Sequence, residues 1–305
     1  MSIQAILVNF LLRHQFKRSG RGKLNVKKAR EMVSKMAARN PSLPRDVSHT
    51  PLAGRTGGGL CSAEWLSAAN PQRTVLYFHG GGYFFCGLDT HRPVCAYLAL
   101  SAQAKVLSVD YRLAPEHVFP AAVDDALAWW KELLDQGFQP SDVVFAGDSA
   151  GGGLALACML AAREKGLPMP AGAVLFSPWT DLSCSGDSMR TKAHVDVMFN
   201  PESLPEAAAL YLAGQPNTTP LASPLFADLH GLPPLLIYAS EHEILMDDST
   251  RLHARAHAQG VQSDLRLKAK LPHVWPTMVI LPEARQTLKE CAQFIAGVTA
   301  SPSKR

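Results

Sequence analysis

Four short stretches carry groups that together could perform acyl transfer. The first is Val143-Val144-Phe145-Ala146-Gly147-Asp148-Ser149-Ala150-Gly151-Gly152-Gly153-Leu154. An apolar run suited to a buried strand turns through Gly147, Ser149 and Gly151 into helix formers that start at Leu154. A serine at the apex of such a strand–turn–helix sits in a strained backbone conformation. Its neighbours two residues away must be small, which glycine satisfies. The helix that follows points its first N–H groups toward the place where negative charge would develop.

A serine nucleophile needs a base, and the base needs an orienting carboxylate. The histidines after Ser149 are His194, His230, His242, His253, His257 and His273. His273 lies in Lys270-Leu271-Pro272-His273-Val274-Trp275, after the last expected strand and before the last expected helix. Its loop therefore leaves the C-terminal end of a strand, where a site forms. The acid is expected just after the strand Leu235–Ala239, in Ser240-Glu241-His242-Glu243-Ile244-Leu245-Met246-Asp247-Asp248. Position favours Glu243 over Glu241, while Asp247 and Asp248 read as capping charges that open the next helix. The fourth stretch, His79-Gly80-Gly81-Gly82-Tyr83, follows the strand Thr74–Phe78. Its glycines let the backbone turn two N–H groups toward an oxyanion with no Cβ in the way.

Other clusters read more plainly. His253 and His257 are four apart on an expected helix, but the glutamate of H-E-x-x-H is missing and Arg251 and Arg255 lie beside them. They are expected on a solvated face, and no metal or other cofactor is expected. The glycine run is not a phosphate loop, since Tyr83-Phe84-Phe85 follows it in place of G-K-[ST]. The six cysteines show no C-x-x-C pair and read as buried thiols in a reducing compartment, Cys86 among them.

The elements that must position these residues alternate. Strands at Thr74–Phe78, Lys105–Asp110, Val143–Ala146, Ala173–Phe176, Leu235–Ala239 and Asp264–Leu267 are separated by helices around Arg92–Ala102 and Ala122–Leu134 and closed by one near Glu283–Ala296. That rhythm implies an α/β fold with a mostly parallel sheet covered on both faces. Before it come two helices, Ile3–Leu12 and Val26–Arg39, then turns at Pro41, Pro44 and Gly54–Gly59 around short strands. Ile3, Ile6, Leu7, Phe10 and Leu11 form a stripe on the first helix, expected to pack on its own domain or over a substrate pocket. A helix at Glu202–Leu212 interrupts the rhythm where a lid would insert.

At 305 residues, 47% hydrophobic and 18% charged, the chain can bury a large core. The net charge of +4 is mild, and the basic residues of Arg13–Arg30 are read as a solvated helical face, so no nucleic-acid partner is expected. The run Ile3–Leu12 is too short to span a bilayer and lacks the flanks of a signal peptide. A cytoplasmic protein without stable membrane association is expected.

Taken together, these stretches resemble the bacterial hormone-sensitive-lipase family of carboxylesterases. The likeness also rests on Thr90-His91-Arg92, Asp110–His117 with Phe119-Pro120-Ala121, Ser177–Leu182, Ser223-Pro224-Leu225 and Gly231–Pro234, and spans roughly residues 74–280. It implies an α/β-hydrolase fold with an eight-stranded, mostly parallel sheet flanked by helices and a helical cap. Residues 1–45 and 183–220 would form the cap, and 46–182 and 221–305 the core. It implies Ser149 as nucleophile, His273 as base, and the N–H groups of Gly81, Gly82 and Ala150 as the oxyanion hole, with His79 structural. In the family's acid motif an Asp precedes a Pro-Leu-x-Asp run, and Glu243-Ile244-Leu245-Met246-Asp247 stands in that place. The expected activity is hydrolysis of short- to medium-chain acyl esters, with Tyr83, Phe84 and Phe85 lining the acyl pocket. Hydrolysis of an amide, a lactone or an acetylated small molecule is the alternative. A homodimer built on a sheet edge is also implied.

Overall fold

The computed structural model describes residues 1–17, 24–55 and 59–299. The turn expected at Gly54–Gly59 and the basic run Arg13–Arg30 lie partly outside these residues. Eight strands form one sheet: β1 (Val47–Leu52), β2 (Ala63–Ala68), β3 (Arg73–Phe78), β4 (Ala104–Val109), β5 (Val143–Asp148), β6 (Gly172–Phe176), β7 (Leu235–Ser240) and β8 (Ser263–Lys268). Their spatial order is β1-β2-β4-β3-β5-β6-β7-β8. The β1–β2 and β2–β4 pairs are antiparallel and the remaining pairs are parallel. The helices are α1 (Ile3–Leu12), α2 (Val26–Ala37), α3 (Leu88–Ala102), α4 (Ala121–Asp135), α5 (Ala150–Glu164), α6 (Ser188–Thr191), α7 (Ser203–Leu212), α8 (Met246–Ala258) and α9 (Pro282–Val298).

Two hydrophobic layers follow from the period-two geometry of strands. On β3 and β5, Leu76, Phe78, Val143 and Phe145 face one layer, while Val75, Tyr77, Val144 and Ala146 face the other. The first layer is closed by α4 and α5, where Trp130 meets Phe145 edge-on at 5.1 Å between ring centroids. Such an aromatic pair contributes about 0.5–1.5 kcal/mol beyond its buried area. The second layer is closed by α3 and α9.

Helix α5 begins at Ala150, directly after the apex serine, rather than at Leu154. The three glycines of its first turn allow this, because the helix backbone there lies hard against the chain leaving β3. A Cβ at Gly151 would lie 2.0 Å from the carbonyl oxygen of Phe78.

The first helix is rotated from expectation. Ala5 and Leu12 are buried and Val8 packs against the core, whereas Ile3, Ile6, Leu7, Phe10 and Leu11 are exposed. Polar anchors set this rotation: Asn9 donates to the Lys270 carbonyl at 2.9 Å, and Ser2 Oγ donates to Glu283 at 2.9 Å. The chain near 188–212 meets the N-terminal segment. Lys17 Nζ donates to the carbonyls of Ala193 and Asp196, Asn200 Nδ2 donates to the Lys17 carbonyl, and the Leu24 N–H donates to Glu206.

Candidate active site

Ser149 ends up at the apex between β5 and α5 with φ 52° and ψ −121°, a conformation that costs an ordinary residue about 1–3 kcal/mol. Four backbone partners hold it there. Its N–H donates to Phe176 at 2.8 Å, its carbonyl accepts Trp179 N–H at 2.9 Å, and the same carbonyl accepts Gly152 and Gly153 N–H. Ser149 is 8% exposed, so the hydroxyl lies in a nearly dry setting.

The parallel strands bring the acid and the histidine to the same edge of the sheet. Glu243, in the loop after β7, is fully buried. One carboxylate oxygen accepts the Ser240 N–H at 2.9 Å and the other lies 2.5 Å from His273 Nδ1. Glu241 is half-buried, and its backbone N–H donates to Lys268 on β8. Glu243 thus carries the contact, and the neighbouring carboxylate does not. His273 is 2% exposed, and its loop is fixed where the Val274 N–H donates to Ser177 Oγ at 3.3 Å. Its Nε2 is buried without a hydrogen-bond partner among the described residues, so Ser149 Oγ is not bonded to it here. With Nδ1 turned to a carboxylate, Nε2 is the ring nitrogen left to accept a proton.

The glycine loop leaves β3 beside the elbow. Gly81 has φ +115°, and a Cβ there would meet the Phe85 carbonyl oxygen at 2.1 Å, so no other residue fits this turn without rearrangement. Ala150 is the first residue of α5, and its N–H is one of the unpaired donors of a helix start. Gly81, Gly82 and Ala150 therefore sit on the two backbone segments that flank Ser149.

A buried polar network that the sequence reading missed fastens these two segments together. Asp148 accepts Tyr77 OH at 2.7 Å and the Gly80 N–H at 3.1 Å, and lies 3.2 Å from His91 Nε2. Burial works to raise the Asp148 carboxyl, but the His91 imidazole and the Tyr77 hydroxyl hold it below its usual range. His79 stacks on Tyr111 at 4.2 Å, and its Nδ1 lies 2.7 Å from the Gly80 carbonyl. Burial, with His91 adding to it, lowers the His79 imidazole to about 3, so it is a neutral buttress. The only sequence signals were Asp148 inside the serine motif and His91 in Thr90-His91-Arg92.

A second missed group comes from the segment before α7. Phe199 sets its ring edge-on to His273 at 4.9 Å. Asp196, 1% exposed, accepts the N–H groups of Met198 and Phe199 on one oxygen and of Ile244 on the other. Burial raises its carboxyl above the usual range against those three donors.

Of the aromatics expected at the acyl pocket, Tyr83 is 1% exposed and stacks on Tyr211 of α7 at 3.9 Å, and Phe84 is buried too. A left-handed φ of 64° at Tyr83 turns the chain inward beneath α7, leaving Phe85 half-buried. Asp247 and Asp248 do lie in the first turn of α8, but their carboxylates reach other segments: Asp247 accepts Ser188 N–H, and Asp248 accepts the N–H groups of Thr180 and Asp181. They stand as charges at the N-terminal turn of α8, as expected, and also join loops to it. His253 Nδ1 lies 2.7 Å from Ser263 Oγ, and no cluster that could hold a metal occurs among the described residues. All six cysteines are free, and burial pushes the Cys86 thiol up.

Fold and site together define a hydrolase of the doubly covered α/β type. The alpha/beta hydrolase fold family matches residues 75–277, and the chain belongs to that family. It is 42% identical over 248 residues to an acetyl-hydrolase of Streptomyces hygroscopicus, covering 81% of this chain and 83% of that protein. It is 37% identical over 220 residues to the carboxylesterase NlhH of Mycobacterium tuberculosis, covering 69% and 68%. Among solved structures, an esterase of the bacterial hormone-sensitive lipase family superposes with a TM-score of 0.91 at 39% identity, covering 98% of this chain and 99% of that one. EstE5 superposes with a TM-score of 0.90 at 39% identity, covering 97% and 99%.

Proposed function

We propose that this carboxylic ester hydrolase of the hormone-sensitive-lipase type is a serine carboxylesterase using Ser149, His273 and Glu243 on short- to medium-chain acyl esters. The observation that carries the reading is the buried Glu243–His273 contact, which leaves Nε2 as the proton acceptor, on the same sheet edge as a serine held at a strained apex. Nε2 takes the Ser149 hydroxyl proton as Oγ attacks the ester carbonyl carbon. The tetrahedral oxyanion is held by the N–H groups of Gly81, Gly82 and Ala150. Collapse breaks the bond to the alcohol, which leaves with the proton from His273. Water then repeats the sequence on the acyl-enzyme and releases the acid.

Residues 1–45 and 183–220 act in this reading as a cap over a core of 46–182 and 221–305. Phe199 supports that role by contributing an apolar wall beside His273. Free thiols suit a reducing, cytoplasmic setting, and the outer edge of β8 supports a homodimer. The likeness to an acetyl-hydrolase favours one second reading, removal of an acetyl group from a small acetylated compound.

The test is hydrolysis of p-nitrophenyl esters from acetate to palmitate by wild type and Ser149→Ala. Activity peaking at short to medium chains and vanishing in the variant is expected. Activity that survives in Ser149→Ala removes the nucleophile assignment.

A further inference from the structure

Helix α1 reads Ile-Gln-Ala-Ile-Leu-Val-Asn-Phe-Leu-Leu, apolar on nearly every side. A helix of that kind belongs in a core or against lipid. Here Ala5 and Leu12 meet the protein, while Ile3 is 83% exposed and Ile6, Leu7 and Phe10 are each more than half exposed. Ile280, 66% exposed, stands three residues before Glu283, the carboxylate that binds Ser2 at the start of the helix. Single exposed apolar residues are ordinary, but a stripe at i, i+3, i+4 and i+7 marks an interaction surface.

Charge identifies the occupant. The first 30 residues hold eight of the chain's 30 Lys and Arg and none of its 26 Asp and Glu. The rest of the chain is therefore slightly acidic. Arg13 follows the stripe one turn beyond Phe10, and both it and Lys27 and Lys28 at the start of α2 are exposed. Lys17 and Arg30 are engaged with protein acceptors and add less. An exposed apolar helix face with Arg13 at its end, in an N-terminal segment whose charges are all basic, fits the interface of an anionic bilayer, where acyl chains take the apolar side chains and headgroups take the cations. A second copy fits poorly, because a two-fold contact through α1 would set one basic segment against another.

We propose that α1 docks this protein peripherally on anionic lipid surfaces, with Ile3, Ile6, Leu7 and Phe10 inserted and Arg13, Lys27 and Lys28 at the headgroups. This departs from the expectation of no stable membrane association, which rested on Ile3–Leu12 being too short to span a bilayer. Docking would also place lipid beside a cavity of about 390 Å³ along the helix, whose lining includes Phe10, Arg13, Val195, Val197, Lys270 and Leu271. Leu271 lies two residues before His273, so the docked face adjoins the histidine loop. The binding claim stands independently of the hydrolytic reading.

The experiment is flotation of the full chain with vesicles of phosphatidylcholine alone and of phosphatidylcholine with 30% phosphatidylglycerol (roughly the anionic fraction that gives a strong surface potential). Wild type should float with the anionic vesicles, and binding should fall at least about fivefold in high salt and in Lys27→Glu/Lys28→Glu. Ile3→Gln/Leu7→Gln should lose binding while hydrolysing a soluble acetate ester at the wild-type rate. Absence of flotation overturns the proposal, and so does equal binding by wild type and the Ile3/Leu7 variant. A dimer in light scattering that Ile3→Gln/Leu7→Gln dissociates, without vesicle binding, assigns the face to a second copy and overturns it as well. Should the apolar variant unfold, the lipid and salt dependence of wild type and the charge variant decides alone.

Discussion

Asp196 accepts the Ile244 N–H at 2.9 Å, so a buried carboxylate from the segment before α7 grips the backbone one residue beyond Glu243. Its other oxygen accepts Met198 and Phe199 N–H and thereby fixes the ring that lies against His273. One side chain thus holds both the acid loop and the apolar wall of the histidine. Asp196→Asn keeps the size but turns an amide donor toward one of these N–H groups. Displacing a pre-organised group by a fraction of an ångström is expected to lower kcat/KM by about 10- to 100-fold. Circular dichroism should show an intact fold, and an unchanged kcat/KM would remove the positioning role.

The two candidate acids separate cleanly. Glu243 contacts His273 and Glu241 does not. Glu243→Gln is expected to reduce kcat by on the order of 10⁴, as loss of a triad carboxylate does elsewhere. Glu241→Gln should stay within about twofold of wild type, since surface changes away from such features have small effects. Steady-state kinetics on one soluble ester, with equal loss in both variants as the contrary result, settles the point.

Gly81 probes the glycine loop. A methyl group there would collide with the Phe85 carbonyl and disfavours φ +115°. Gly81→Ala should therefore misdirect the loop amides and cut kcat by roughly 10²–10³, the usual effect of losing an oxyanion donor. KM should move much less. A variant that retains wild-type kcat would show that these amides do not face the reacting carbonyl.

Acid stability should report His79. Its buried imidazole is neutral when folded and accepts a proton only near about 3, against 6.5 when unfolded. Between these values the unfolded chain binds the extra proton, so stability falls as pH drops from about 6.5 to about 3 and levels off below. The linkage sets an upper bound of about 5 kcal/mol on this loss. Denaturant unfolding of wild type and His79→Gln across that range should give a flatter curve for the variant. Parallel curves would mean that the ring is protonated inside the fold.

What the sequence by itself determined is local. Glycines at Gly147 and Gly151 mark a turn whose sterics depend on a few adjacent residues, and the apolar runs of β3 to β7 mark strands covered on both faces. The strand order then delivers Ser149, the acid loop and His273 to one edge, so their common placement was legible from spacing and chain order. Tertiary structure decided the rest, because those contacts join residues far apart in the chain. The rotation of α1 was set by Asn9 against Lys270 and Ser2 against Glu283, and no periodicity within ten residues records those partners. The burial of Tyr83 depended on Tyr211, and the placement of Asp196 depended on Ile244. Glu243 was separated from Glu241 by which carboxylate met the histidine loop. Hydrophobic pattern and turn chemistry specify elements, whereas the pairing of buried polar groups is resolved only when those elements pack.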